Sequence, residues 1–305
     1  MSIVVLGSIN MDLTTYVPNL PQPGETLQGK SYIIVPGGKG NNQAVAASRL
    51  GAQVKFVGRV GTDGFGEEVL QIMADQKVDV SQVMRDPNNG TGLAVISVDE
   101  KAENSIIIIS GANFALNESD VQRASQCMQD AQVLMLQLEV PLDACLQTAR
   151  CAHEHGVTVI FDPAPAIPMP ADAFLLIDYI TPNEIETEIL TGLKPANAED
   201  ASRAARLLLA KGVGTAIIKL GAKGVYFENN EEKGFIPPFK VNPIDTVAAG
   251  DAFNGGLAVA ISEGKPLAEA VRWGAAAGAI ATTRKGALPA MPYRDELLAM
   301  LKEQA

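Results

Sequence analysis

At 305 residues the chain is long enough to bury a large core, and 47% of its residues are hydrophobic. Its 35 acidic against 24 basic residues leave a formal charge of −11, which argues against unaided binding to nucleic acid or to an anionic membrane. No apolar run approaches the roughly 20 residues that span a bilayer. The start MSIVVLGSINMD lacks a signal peptide's basic opening and long apolar centre, so the expectation is a cytoplasmic protein.

Ile3 to Gly7 predicts a short buried strand, and Leu13–Val17 and Tyr32–Val35 predict strands exposed on one face. From Gly40 to Leu50 the spacing of Ala44, Val45, Ala47 and Leu50 is helical; a strand from Val54 to Val60 and a helix through Val69, Leu70, Ile72 and Met73 follow. The segment Gly92–Ser110 breaks this βαβα rhythm. Its runs LAVISV and SIIIIS, joined by a charged turn over Asp99–Asn104, predict a hairpin that combines with the strands near 12–17 and 27–35 into a small second sheet. Alternation resumes with strands at Val133–Leu138, Val157–Phe161, Tyr179–Thr181 and Ala216–Leu220, and helices at 141–155, 183–190 and 198–211; helices are expected to dominate the remainder. The fold class is therefore α/β, a single doubly wound, mostly parallel sheet in three layers over residues 1–305, with a small β lid from about 12–35 and 92–110. Ligands of such sheets bind just beyond the carboxyl ends of the strands.

Cys127, Cys145 and Cys151 form no C-x-x-C pair and read as buried structural thiols of a reducing compartment. His153 and His155, the only histidines, point to different faces of one predicted helix, which disfavours a histidine metal site or a Ser-His-Asp triad.

Chemistry concentrates in two segments. Asp245-Thr246-Val247-Ala248-Ala249-Gly250-Asp251-Ala252-Phe253-Asn254-Gly255-Gly256 is a small-residue run that opens a helix. First-turn amides have no intrahelical partner and can hold a phosphoryl group while charge develops on it. Asp251 beside them is placed to take a hydroxyl proton; the plain alternative is an acidic cap on a closely packed helix. The second segment, Gly37-Gly38-Lys39-Gly40-Asn41-Asn42-Gln43, offers several donors to a polyhydroxylated ligand or a phosphate, or else merely starts a helix.

Both segments resemble the signature motifs of the ribokinase, or PfkB, family of carbohydrate kinases. Gly7–Asp12, Leu136–Glu139, Thr181–Glu186 and Thr283–Ala287 resemble further family segments in the same order, so the likeness spans nearly the whole chain. The resemblance implies ATP-dependent phosphorylation of a terminal hydroxyl, with O5 of ribose expected and a deoxypentose or nucleoside the nearest alternative. It implies Asp251 as general base, an anion hole at Ala248, Ala249, Gly250 and Asp251, and a sugar site of Asn10, Asp12, Gly38, Lys39, Asn42 and Glu139. Asn183 and Glu186 match the family's N-x-x-E motif, associated with Mg2+ and phosphate, although helix capping after Pro182 is the simpler use. Lys219, Gly221 and Gly224 fall in the nucleotide loop and Ala275 near the adenine; the family often carries Thr at the first of these positions and a polar residue at the last. A K+ site is implied at Asp245, Val247, Ala281, Arg284, Gly286 and Ala290, weakened because Ala290 supplies no hydroxyl. The family also pairs its lids as a homodimer, which here would use Ile106–Ile109.

Three rival readings fare worse. Gly24–Ser31 satisfies the P-loop pattern G-x-x-x-x-G-K-[ST] but lacks the preceding strand and following helix. A nicotinamide-dependent oxidoreductase would carry G-x-G-x-x-G after the first strand, where this chain has Gly7-Ser8-Ile9-Asn10. A non-catalytic sugar-binding regulator would not need an intact Asp251 and its small-residue run.

Overall fold

The first apolar run forms β1 (Ser2–Leu6), in which Ile3, Val4, Val5 and Leu6 are all fully buried. A strand with no exposed alternate residues belongs at the centre of a sheet covered on both faces. After it come β2 (Asn10–Tyr16), β3 (Ser31–Gly37), α1 (Lys39–Arg49), β4 (Gln53–Gly61), α2 (Gly64–Asp75), β5 (Val78–Asp86), β6 (Gly92–Val98) and β7 (Asn104–Ile109). The middle of the chain supplies α3 (Glu118–Cys127), β8 (Val133–Gln137), α4 (Leu142–Glu154), β9 (Thr158–Asp162), β10 (Tyr179–Ile180), α5 (Glu184–Thr191), α6 (Ala198–Ala210) and β11 (Thr215–Lys219). The last third adds β12 (Val225–Glu228), β13 (Lys233–Ile236), α7 (Ala249–Ser262), α8 (Leu267–Ala281) and α9 (Arg294–Glu303). This computed structural model describes residues 2–101 and 103–304; Ala102, in the turn expected between β6 and β7, lies outside the described residues.

Nine strands form the main sheet in the order β13-β12-β11-β10-β9-β8-β1-β4-β5. Those from β11 to β5 pair in parallel, while β12 and β13 are antiparallel. The chain winds outward from β1 through β4 to β5, then returns to β8 on the other side of β1 and winds the opposite way. This reversal beside β1 opens a crevice at the strand ends. Ile3 and Val5 pack into one apolar layer with α1, α7 and α8; Val4 and Leu6 pack into the other with α3, α4 and α6. The result is the expected three-layer arrangement.

The small residues of α7 set its depth. A Cβ on Gly255 would lie 2.5 Å from the Ala46 Cβ, and one on Gly256 would lie 2.9 Å from the Ala277 Cβ. Helix α7 therefore sits closely between α1 and α8, which brings its first turn beside the start of α1.

A second sheet has the order β3-β2-β6-β7, with β2 parallel to β6 and the other pairs antiparallel. Its outer strands are apolar yet open: Tyr32, Ile33 and Ile34 on β3 and Ile106 to Ile109 on β7 are all exposed. The region 17–30, which carries the P-loop look-alike up to its final Ser31, is a connection leading into β3, whose first residue is Ser31, with no helix at its end.

Three features differ from the sequence reading. Strand β5 was not expected because it is an edge strand whose DVSQVMRD is mostly polar and only partly buried. Helix α3 has a thin apolar stripe of Val121, Ala124 and Cys127, and its clearest signal is a capping box between Asn117 and Asp120. The region after β11 contains the hairpin β12–β13 before its helices; each strand has only four residues, too few for a clear period.

Candidate active site

The site starts where β1 ends. Gly38 adopts φ 89°, and a Cβ there would press within 2.9 Å of the Ser8 and Asn10 backbones, so only glycine lays this turn against the strand end. Glu139, just after β8, accepts from Ser8 Oγ at 2.6 Å and from the Lys39 amide at 2.9 Å, both through Oε2. That fixes Glu139 to the first turn of α1. Asn10 is buried and its Oδ1 accepts from Asn113 Nδ2 at 2.7 Å. Asp12 points back to the same place; burial raises its carboxyl from 3.8 to about 6, and the charges of Glu139 and Asp251 push it the same way.

Asp251 in the first turn of α7 joins this group. Its Oδ2 accepts from Asn42 Nδ2 at 3.0 Å and its Oδ1 from Gln43 Nε2 at 3.1 Å. Burial is the main cause that raises it from 3.8 to about 6; Lys39 opposes, Asp162 adds, and the two amide bonds oppose. For Lys39 burial works against the charge, but the fields of Asp251, Asp162, Glu139 and Glu186 outweigh it and hold the ammonium above its usual range. The buried Asn42 Oδ1 has no partner among the described residues, leaving an acceptor at the site for a ligand hydroxyl. Asn10, Asp12, Gly38, Lys39, Asn42, Glu139 and Asp251 thus surround one place.

Ala248 caps α7 in the left-handed conformation, φ 57°, which a residue with a Cβ adopts only at some strain. The Ala249 amide donates to Thr246 O at 3.3 Å, whereas those of Gly250 and Asp251 donate to no acceptor among the described residues. They open onto a cleft of about 850 Å³ lined by Lys39, Asp162, Asn183, Glu186, Lys219, Gly221, Gly224 and Ala275, with apolar walls from Val225, Pro238 and Phe239. An elongated ligand with a charged end and a flat apolar end matches such a lining.

Asn183 and Glu186 line the cleft, but their side chains also form the capping box of α5. Asn183 Oδ1 accepts from the Ile185 and Glu186 amides, and Glu186 accepts from the Asn183 amide at 2.7 Å and side chain at 2.9 Å. Each Glu186 oxygen keeps a free lone pair. No cluster of three or more acidic, His or Cys side chains forms a metal cage among the described residues. A cation that arrives on phosphates and retains its water, as Mg2+ does, needs only a carboxylate within reach of that water, and Glu186 fits.

The loop before α7 and the loop after α8 meet at Asp245, whose Oδ1 accepts from the Val247 amide at 3.0 Å and Oδ2 from the Gly286 amide at 2.9 Å. The Arg284 guanidinium turns away to Glu296, leaving its backbone on the loop. Ala290 is buried, and the Ala281 carbonyl already takes a long bond, 3.4 Å, from the Arg284 amide. Each Asp245 oxygen accepts one amide and keeps a free lone pair, an oxygen donor of the kind that K+ accepts.

A model of the pfkB family of carbohydrate kinases matches residues 1–294. The chain belongs to that family. It is 44% identical to the ribokinase of Haemophilus influenzae over 301 residues, covering 99% of this chain and 98% of the relative. It is 35% identical to the deoxyribokinase of Salmonella typhi, with 97% of each covered. Among solved structures, the Arabidopsis thaliana ribokinase complexed with ribose and ATP superposes with a TM-score of 0.92 at 34% identity, over 98% of both chains. The Thermotoga maritima ribokinase superposes at 0.88 with 38% identity, over 98% of this chain and 99% of that one.

In this pfkB kinase the nucleotide-loop residues Lys219, Gly221 and Gly224 line one cleft with Ala275. The Lys219 ammonium reaches inward from that loop, 3.1 Å from Asp162 Oδ1 and 3.3 Å from where a Cβ on Gly250 would stand. Three site residues were missed: Gln43, Asp162 and Asn113. Gln43 lay inside a segment already singled out, but Asp162 carried only the weak signal of an acid closing a buried strand. Asn113 carried none, since it reaches Asn10 from a distant 3-10 turn.

Proposed function

We propose that this carbohydrate kinase transfers the γ-phosphoryl group of ATP to O5 of D-ribose. The observation that carries the reading is the position of Asp251: its carboxylate faces the sugar-binding amides, while its own backbone amide and that of Gly250 face the nucleotide cleft. Ribose fits between Asn10, Asp12, Asn42 and Glu139, which offer acceptors and donors to vicinal hydroxyls, and Asn42 Oδ1 gains the partner it lacks. With a carboxyl near 6, Asp251 is mostly ionised at pH 7 and still basic enough to take the O5 proton as the oxygen attacks. Charge growing on the transferred group is met by the first-turn amides of α7 and by Lys39. Mg2+, held through water by Glu186, would neutralise phosphate charge. K+ at Asp245 and the carbonyls of Val247, Ala281, Arg284, Gly286 and Ala290 would brace the loop that presents those amides.

The four-stranded sheet acts as a lid over the sugar, and two lids pair as a homodimer through their exposed isoleucines. The cytoplasm suits the protein: its three cysteines are free, and burial pushes the Cys145 thiol up to about 12. The deciding experiment is a phosphorylation panel of ribose, 2-deoxyribose, fructose and nucleosides with ATP. Ribose should give the highest kcat/KM; a preference for 2-deoxyribose would favour the deoxyribokinase alternative, and no ATP-dependent product would overturn the kinase reading.

A further inference from the structure

The carboxylates of Asp162 and Asp251 share one amide group. Gln43 Nε2 donates to Asp162 Oδ2 at 2.9 Å and to Asp251 Oδ1 at 3.1 Å, while Gln43 Oε1 accepts from Gln137 Nε2 at 2.7 Å. The Gln137 bond sets which way the amide faces, so both of its N–H groups are committed to carboxylates. Asp162 and Asp251 are only 2% and 4% exposed, and like charges in one buried site oppose each other's ionisation. Asp162 has its own counter-ion: Lys219 Nζ lies 3.1 Å from Oδ1, with side chains 13% and 3% exposed. The same ammonium stands against the first turn of α7, beside amides that face the cleft. A phosphate oxygen docked on that helix start meets Lys219 and competes with Asp162 for it.

We propose that Asp162 is a positioning residue for Asp251, acting through Gln43, and that Lys219 ties this action to nucleotide because Asp162 and the phosphate oxygens share it. The inference rests on Asp251 being the base of an ATP-dependent kinase. Without nucleotide, Lys219 compensates Asp162. With nucleotide bound, part of that compensation moves to the phosphates, Asp162 bears more directly on Asp251, and the base becomes more basic when its acceptor is in place. The other charged groups facing Asp251 are Lys39, which favours its ionisation, and Asp12, which opposes it; Glu139 and Glu186 act on Lys39. None of them is altered in the test.

The test compares Asp162→Asn, Lys219→Met, Lys219→Arg and the Asp162→Asn/Lys219→Met double variant. Each is assayed for ribose and ATP KM, for kcat, and for the acid limb of the pH profile of kcat/KM. Asp162→Asn should move that limb to lower pH by about half a unit or more, since a like charge is removed. Lys219→Met should move it to higher pH and raise the KM for ATP about tenfold, the scale of one charged hydrogen bond. Lys219→Arg should keep the wild-type limb, and the double variant should keep the limb of Asp162→Asn, because Lys219 acts on Asp251 only by compensating Asp162. NMR titration of the Asp251 carboxyl in the nucleotide-free proteins reads the same coupling without turnover, so it decides the positioning role even if the kinase reading fails. A mere strut predicts lower melting temperatures with an unmoved limb and an unmoved Asp251 titration. That result, or single-variant shifts that simply add in the double variant, overturns the proposal.

Discussion

Two regions of this molecule present opposite kinds of surface. Where α1 meets α7 the groups are polar and buried: Asn42, Gln43, Asp251 and Asp162 lie at 5%, 1%, 4% and 2% exposure. On the four-stranded sheet the residues are apolar and open, with Ile107 and Ile108 each at 60%. Both arrangements invert the usual rule that polar groups stay outside and apolar ones inside. The first holds charge away from water and leaves the buried Asn42 Oδ1 without a hydrogen-bond partner among the described residues. The second has too few strands to bury its own apolar face, which stays exposed. Chemistry is therefore expected to break in the first region and association in the second.

The largest effect is expected from Asp251→Asn, which keeps the side chain's size, leaves one acceptor for the two amides of Asn42 and Gln43, and removes the base: turnover should fall about 10²-fold or more. A folded variant with near-normal kcat would end the base assignment. The same substitution should stabilise the protein at high pH. Asp251 is raised from 3.8 to about 6, so its favourable contribution is complete below about pH 4 and is lost as pH rises through 6. Asp251→Asn should accordingly melt above wild type at pH 8, and the gap should narrow at pH 5. In wild type, kcat/KM for ribose should fall below about pH 6 as the carboxyl takes its proton.

Asp12→Asn comes next. It removes a charged acceptor for a sugar hydroxyl and should raise the ribose KM about tenfold with a smaller change in kcat. An unchanged KM would move the sugar away from β2.

Disruption of the open sheet should be milder and of another kind. Ile106→Asp with Ile108→Asp, both on one face of β7, should weaken dimerisation and raise the ribose KM severalfold together, because unpaired lids close poorly. Sedimentation beside kinetics checks this. A wild-type monomer at micromolar concentration with ribose present would refute the pairing and leave the kinase untouched.

The smallest effect is expected from the cation. At matched ionic strength K+ should raise turnover a few-fold over Na+ or a bulky organic cation, muted by Ala290, and equal rates in all three would count against the Asp245 site.

The sequence alone determined much of this. Runs such as IVVL and VLMLQ have no polar alternation, so they had to be strands covered on both faces, and the small-residue run from Ala248 to Gly256 had to be a closely packed helix start. Local chemistry carries those conclusions because each depends on neighbours a few residues apart. Tertiary structure alone decided the rest. Gln43 and Asp251 are 208 residues apart and meet at one hydrogen bond; Lys219 meets Asp162 from 57 residues away. No period or motif encodes such a meeting. It follows from the winding order of the main sheet, which brings the ends of β8, β9 and β11 to the same crevice as the first turns of α1 and α7, where each buried carboxylate must find a donor or a counter-ion.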